Sequence, residues 1–179
     1  MTKEPLEDHL DPIAQARAAK DHLFGHGPES PLTPEQRAAF TGLRYFAPDP
    51  AFRFLVRLEP AAGAAAQEIQ LSDGASTEMD PAGAFRFTVG DVESRLIGYE
   101  SEGGGVFVPF RDATSGTETY GAGRYVEAHP DGHGTYLLDF NQAYNPYCAY
   151  NDAWSCPLPP RENWLTVPIR AGEQVFPHD

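Results

Sequence analysis

Hydrophobic positions in this chain change their period near residue 43. Before that point the spacing is helical. Ile13, Ala16, Ala19, Leu23 and Phe24 fall near one helical face, opened by Asp11 as N-cap with Pro12 at the first helical position, and closed by Gly25 and Gly27. A second start reads Thr33-Pro34-Glu35-Gln36, where Thr33 caps and Gln36 stands as its capping-box partner, and Ala38 to Phe40 finish the helix before Gly42. From Leu43 onward the period is two. Phe52, Phe54, Val56 and Leu58 alternate with Arg53, Leu55 and Arg57, the pattern of a strand with one buried face. Further strands are expected over Glu68–Leu71, Ala84–Val89, Ser94–Tyr99, Gly105–Phe110, Gly121–Glu127, Thr135–Phe140 and Leu165–Ile169. Turn signals separate them at Ser72-Asp73-Gly74, Asp80-Pro81-Ala82-Gly83, Gly90-Asp91, Gly103-Gly104-Gly105 and Pro130-Asp131-Gly132.

Short, evenly spaced strands without long helices between them argue against a parallel α/β fold. They predict a mainly β domain of about eight strands, an antiparallel meander closing into a barrel or sandwich with short N-terminal helices packed on it. The expected organisation is a single domain over 1–179: a helical extension at 1–42, then a β domain at 43–176 with a long ordered loop at 141–163. Loops of that length inside compact domains are either functional or disordered, and the aromatics, prolines and cysteines here argue for order.

Composition narrows the partners. The net charge of −13 is spread over every fifty-residue block, and lysine occurs only at Lys3 and Lys20. No basic patch exists to neutralise phosphates, so nucleic acid is not expected as a partner. The apolar runs are too short and interrupted to span a bilayer, and the opening Met1-Thr2-Lys3-Glu4-Pro5 lacks the features of a secretory signal. A cytoplasmic location is the expectation. The acidity fits either a salt-adapted surface or a GC-rich genome.

The segment from Pro109 to Glu173 differs in kind, because charged and amide side chains interleave with aromatics. Polar groups that become buried in such a segment need partners. Its runs are Pro109-Phe110-Arg111-Asp112, Thr119-Tyr120-Gly121-Ala122-Gly123-Arg124-Tyr125, Leu138-Asp139-Phe140-Asn141-Gln142-Ala143-Tyr144-Asn145-Pro146-Tyr147-Cys148-Ala149-Tyr150 and Cys156-Pro157-Leu158-Pro159-Pro160-Arg161-Glu162-Asn163. These runs resemble the bacterial and archaeal family called domain of unknown function sixteen-eighty-four, over about Ser30 to Phe176. The resemblance implies membership and a region of interest. It carries no assigned reaction to transfer, and any cofactor is unknown.

Within that region Arg124 and Asp139 are expected on the two strands of one hairpin, directly opposite if Pro130 to His133 form the loop. They then read as a register-fixing ion pair, or as an Arg oriented to grip a carboxylate or phosphate. Asn141 shares the Asp139 face. The binding reading places a small polar or anionic ligand in a pocket at the barrel mouth. Arg111 and Arg124 supply charge, Asn141 and Asn145 hydrogen bonds, Tyr144 and Tyr150 walls, with Asp112, Thr119, Tyr120, Glu162 and Asn163 completing the set. The enzyme reading uses Asp112, Asp139 or Glu162 as a general base beside one of the arginines. A third reading makes the network a rigid scaffold for a protein-interaction domain. Cys148 and Cys156 read as free buried thiols, a short-loop disulfide, half of a zinc site with His129 and His133, or a nucleophile at Cys148. Gly121 and Gly123 lack a third glycine and a following helix, so they suit a bulge or close strand approach rather than a dinucleotide site.

Overall fold

Alternation over residues 52–58 does build a strand, but Arg57 breaks it into β1 (Arg53–Val56) and β2 (Leu58–Pro60). That break decides the architecture. In a computed structural model describing residues 5–178, β1 pairs with β9 (Tyr136–Asp139) and β2 pairs with β5 (Pro81–Val89), so one bent strand touches both ends of the same sheet. The order is β1-β9-β8-β7-β6-β5-β2, with β6 at Val92–Glu100, β7 at Val106–Phe110 and β8 at Arg124–Pro130. The result is a nearly closed antiparallel barrel of seven strands. A separate hairpin, β3 (Gln67–Gln70) and β4 (Ser76–Met79), lies apart from the barrel sheet. The sequence reading found β3 and missed β4, whose residues Ser-Thr-Glu-Met are mostly exposed and carry no alternation.

Inward positions of the strands fill the barrel. Phe85, Leu96, Val108, Phe110, Val126, Leu138 and Phe140 are all almost wholly buried, and Phe140 meets Phe54, Phe87 and Phe110 at ring-centroid distances of 6.0, 5.5 and 5.1 Å. The Gly90-Asp91 signal is the tight turn joining β5 to β6, with Gly90 at φ 59° and Val89 opposite Val92. Gly123 sits at φ 111° immediately before β8, and a Cβ there would lie 2.6 Å from the Phe110 carbonyl oxygen. The strand therefore starts at Arg124, after a turn, and not at Gly121.

Two helices precede the barrel in the chain. The first, α1 (Pro5–His26), begins well before Asp11, so Asp11-Pro12 is not its start; Pro12 lies inside it, at the cost of one backbone hydrogen bond. The face turned to the barrel also differs from the expected one. Ile13 and Phe24 are buried, with Arg17 and Lys20 between them at half-buried positions, whereas Leu23 is 39% exposed and Ala19 is exposed. Helix α2 (Pro34–Ala39) starts as expected: Thr33 accepts from the Gln36 amide, and the Gln36 side chain accepts from the Thr33 amide. The opening read at Met1 to Pro5 lies, apart from Pro5, outside the described residues. Among the described residues no helix is long and apolar enough to cross a membrane.

The expected strand at Leu165–Ile169 does not form. That segment is an irregular strap that carries Ile169 and Ala171, both fully buried, across one end of the barrel. Pro168 has no amide to give a ladder, and the strap's carbonyls are committed elsewhere, as the site shows.

Candidate functional site

The hairpin joining β8 to β9 removes the predicted Arg124–Asp139 pair. Its register sets Ala128 opposite Leu138 and Pro130 opposite Tyr136, with the turn closed by the Asp131 amide donating to the Thr135 carbonyl at 3.0 Å. The turn is thus longer and lies further along than the expected Pro130–His133 loop. Extrapolating the ladder, Arg124 and Asp139 are not opposite, and they belong to different faces of the sheet.

Arg124 instead points into the end of the barrel, 1% exposed. Its Nη1 donates to the carbonyls of Ala171 and Glu173, and its Nη2 donates to the carbonyl of Ile169 at 2.8 Å. The Asp112 carboxylate is 3.5 Å from Nη2. Asp112 in turn accepts from the Ile169 amide at 2.7 Å and from the Thr114 hydroxyl at 2.8 Å, and Thr114 meets Thr119 at 2.9 Å. Burial pushes the Arg124 guanidinium below its ordinary value, while Asp112, then Glu173, pull it back. The arrangement is a clasp: one arginine and one aspartate bind the C-terminal strap to β7 and β8.

Other candidates are spent in the same way. Asn163, wholly buried, accepts from the Ile97 amide and donates to the carbonyls of Ile97 and Pro109, each at 2.8 Å. It fills the place where β6 and β7 part, since Pro109 has no amide to donate. Asn141 accepts from the Asp49 amide and donates to the Asp49 carbonyl, both at 2.8 Å, and donates to Asp139 at 2.9 Å. Asp139 also caps the Asn141 amide and faces Arg53 across β1. Arg111 stacks on Trp164 with its guanidinium 4.2 Å from the ring centroid. Glu162 is exposed.

A second buried cluster centres on Glu173, which the sequence reading did not single out. Its carboxylate accepts from the Tyr150 hydroxyl at 2.8 Å and from the Asn145 amide, and pairs with Lys20 at 2.8 Å. Burial, then Glu173, pushes the Tyr150 hydroxyl well up, so it stays protonated and donating. Lys20 ties this cluster to α1. Beside it lies a cavity of about 170 Å³, lined by Arg17 and Lys20 from α1, by Tyr45, and by Asn141 to Tyr144. Arg17 lies 4.3 Å over the Tyr45 ring and donates to the carbonyls of Phe46 and Asn141; Lys20 lies 5.2 Å over the Tyr144 ring. Burial pushes the Arg17 guanidinium down from its ordinary value. Of the sequence candidates, only Asn141 and Tyr144 line this cavity. Arg17 and Lys20 were legible in principle: at i, i+4, i+7 and i+11 with Ile13 and Phe24, they put two cations inside a buried helical face.

The cysteines are free and buried beside the β3–β4 turn, where Ser72 accepts from the Cys156 amide at 3.0 Å, whereas His129 and His133 belong to the β8–β9 hairpin. Among the described residues no group of three or more His, Cys, Asp or Glu is placed to hold a metal ion.

The family model described as Protein of unknown function (DUF1684) matches residues 38–174. A solution NMR structure of an uncharacterized protein from Haloarcula marismortui is 36% identical, with 97% of each chain covered and a TM-score of 0.75. No curated protein matches the chain.

Proposed function

The chain belongs to the DUF1684 family, which supplies no reaction to transfer, and we propose from its own geometry that it binds a small anionic molecule between α1 and the barrel. One observation carries the reading. In a chain of net charge −13, Arg17 and Lys20 meet at one cavity walled by the tyrosine rings of Tyr45 and Tyr144, with Gln142 alongside. Apolar walls with a few convergent polar groups are the usual make-up of a ligand site. The volume of about 170 Å³ is below the ~300 Å³ at which drug-sized pockets begin, which favours a ligand the size of a small carboxylate or a phosphate.

The two cations have different parts in this reading. Arg17 already spends its terminal nitrogens on backbone carbonyls, so it fixes α1 and lends charge. Lys20 is 26% exposed and shares itself with Glu173, so an incoming anion competes with that carboxylate for the ammonium. Arg111 and Arg124 take no part, since neither lines the cavity. The general-base reading has less support: the oxygens of Asp112 and Asp139 are occupied as acceptors of structural hydrogen bonds.

The test is ligand-induced thermal stabilisation with acetate, benzoate and inorganic phosphate, at constant ionic strength against chloride. A ligand at a hundred times its Kd adds about 2.7 kcal/mol of stability. The expected result is a rise in Tm with one of these anions that Lys20→Met abolishes and Glu162→Gln leaves intact. No rise beyond chloride with any of them sinks the proposal.

A further inference from the structure

The two cysteines lie outside the cavity and outside the clasp, yet they are placed against each other. The backbone amide of Cys148, in the short helical turn Tyr147–Ala149, points at Sγ of Cys156 at 3.4 Å. The Tyr120 hydroxyl donates to Sγ of Cys148 at 3.8 Å. Cys156 is held in turn by the β3–β4 turn, its amide donating to the Ser72 hydroxyl at 3.0 Å and its carbonyl accepting from the Ser72 amide at 2.9 Å. Both sulfurs belong to buried residues, 6% and 8% exposed, which admits a small oxidant more readily than a bulky one.

The two sulfurs have different donors: a side-chain hydroxyl faces Cys148 and a backbone amide faces Cys156. The Tyr120 hydroxyl faces Sγ of Cys148, and such a donor stabilises a thiolate without a cation. The Cys148 thiol is accordingly drawn below its ordinary value, chiefly by the Cys156 thiol, while Cys156 is pushed up by the same contact. One member is set to be the nucleophile and the other to keep its proton until it is needed.

We propose that Cys148 and Cys156 are a peroxide-oxidisable dithiol that closes into a reversible disulfide, with Cys148 as the sulfur attacked first. The Cys148 thiolate attacks one oxygen of hydrogen peroxide, the O–O bond breaks, and hydroxide leaves as Cys148 becomes a sulfenic acid. The Cys156 sulfur then attacks Sγ of Cys148, the S–O bond breaks, and the departing hydroxyl leaves as water with the Cys156 proton. In sum, two thiols and one peroxide give one disulfide and two waters. A dithiol reductant reverses the reaction by thiol–disulfide exchange.

The native chain is treated with hydrogen peroxide, quenched by alkylation and mapped by peptide mass spectrometry. The expected result is loss of two hydrogens per chain and a linked Cys148–Cys156 peptide that dithiothreitol reopens. In Cys156→Ser the reaction stops at a sulfenic acid on Cys148 that dimedone traps, and Tyr120→Phe slows its formation. Thiols that stay reduced until the methionines oxidise, or that run on to sulfinic acid unlinked, overturn the proposal. Equal dimedone labelling of Cys148→Ser and Cys156→Ser overturns the assignment of Cys148. Should either serine variant fail to fold, the linked peptide in the native wild type still decides the pairing.

Discussion

Replacing Arg124 by methionine is the sharpest test of the clasp, because methionine keeps most of the volume and removes the charge and every donor. Three carbonyls, those of Ile169, Ala171 and Glu173, lose their partner, and Asp112 loses the cation facing it. Breaking a buried ion pair by removing one partner costs about 3–5 kcal/mol. Each carbonyl left buried without a donor costs about 1–3 kcal/mol more, though water entering from the barrel end relieves part of that. We expect a loss of about 5 kcal/mol, which is the whole stability of a domain at the low end of the usual ~5–15 kcal/mol. At ~2–4 °C per kcal/mol for a chain of this length, Tm falls by about 10–20 °C. The assay is urea unfolding followed by far-ultraviolet circular dichroism for wild type, Arg124→Met, Asp112→Asn and the double variant. The double variant should lose less than the sum of the two single ones by at least ~1 kcal/mol, because removing both charges leaves neither stranded. If Arg124→Met costs under ~1 kcal/mol with an unchanged slope, Arg124 is not the fastener described, and a ligand-gripping role regains its ground.

Three other substitutions probe separate joints. Asn163→Leu should cost about 2–4 kcal/mol and speed hydrogen exchange at the Ile97 amide, since the side chain bridges β6 and β7 where they part. Gly123→Ala should lower Tm clearly, because its Cβ would sit 2.6 Å from the Phe110 carbonyl and the backbone is left-handed at φ 111°. Asp131 is held below the usual carboxylate range, first by the Thr135 hydroxyl and then by the His133 amide. A depressed folded value means its contribution to the hairpin is complete above the ordinary aspartate pKa and is lost as pH falls through the lower, folded one. A carboxyl NMR titration should show that low midpoint, and Thr135→Val should move it back up.

What could be read from residues alone follows from what each signal depends on. The apolar runs at 84–89, 94–99 and 105–110, bounded by turn signals, reported burial, so β5, β6 and β7 were legible within a few residues. The capping box at Thr33 and Gln36 is local chemistry, and it formed as written. The β8–β9 register was not legible, because it depends on which residues the turn absorbs. Asp131 accepts from the amides of His133 and Thr135 and from the Thr135 hydroxyl, while Gly132 and Gly134 both take positive φ; together they make a longer turn than Pro-Asp-Gly alone suggests. A shift of an odd number of positions in the pairing sum turns a side chain to the other face, which is why Arg124 and Asp139 never meet. The strap at 165–171 misled for a related reason: it is apolar and β-branched, but its carbonyls serve a side chain instead of a strand.

The same argument relocates the question of function. The densest motifs of the chain, at residues 109–112, 119–125, 138–150 and 156–163, mostly hold backbone to backbone: Asp112 and Arg124 bind the strap, Asn141 binds Asp49, Asn163 binds Ile97 and Pro109. Polar residues spent this way have little hydrogen-bonding capacity left for a ligand, so motif density marks where the barrel is closed more than where it acts. The cavity forms where that closure meets α1, and its two cations come from a helix whose sequence carries no motif at all. The family match spans residues 38–174, so it takes in Tyr45 and Asn141 to Tyr144 but not Arg17 and Lys20. It therefore accounts for the barrel side of the cavity and leaves the charged side to α1. If the cavity binds an anion, exchanging the α1 cations for neutral residues should change what is bound while the barrel, fastened by its own clasp, keeps its fold.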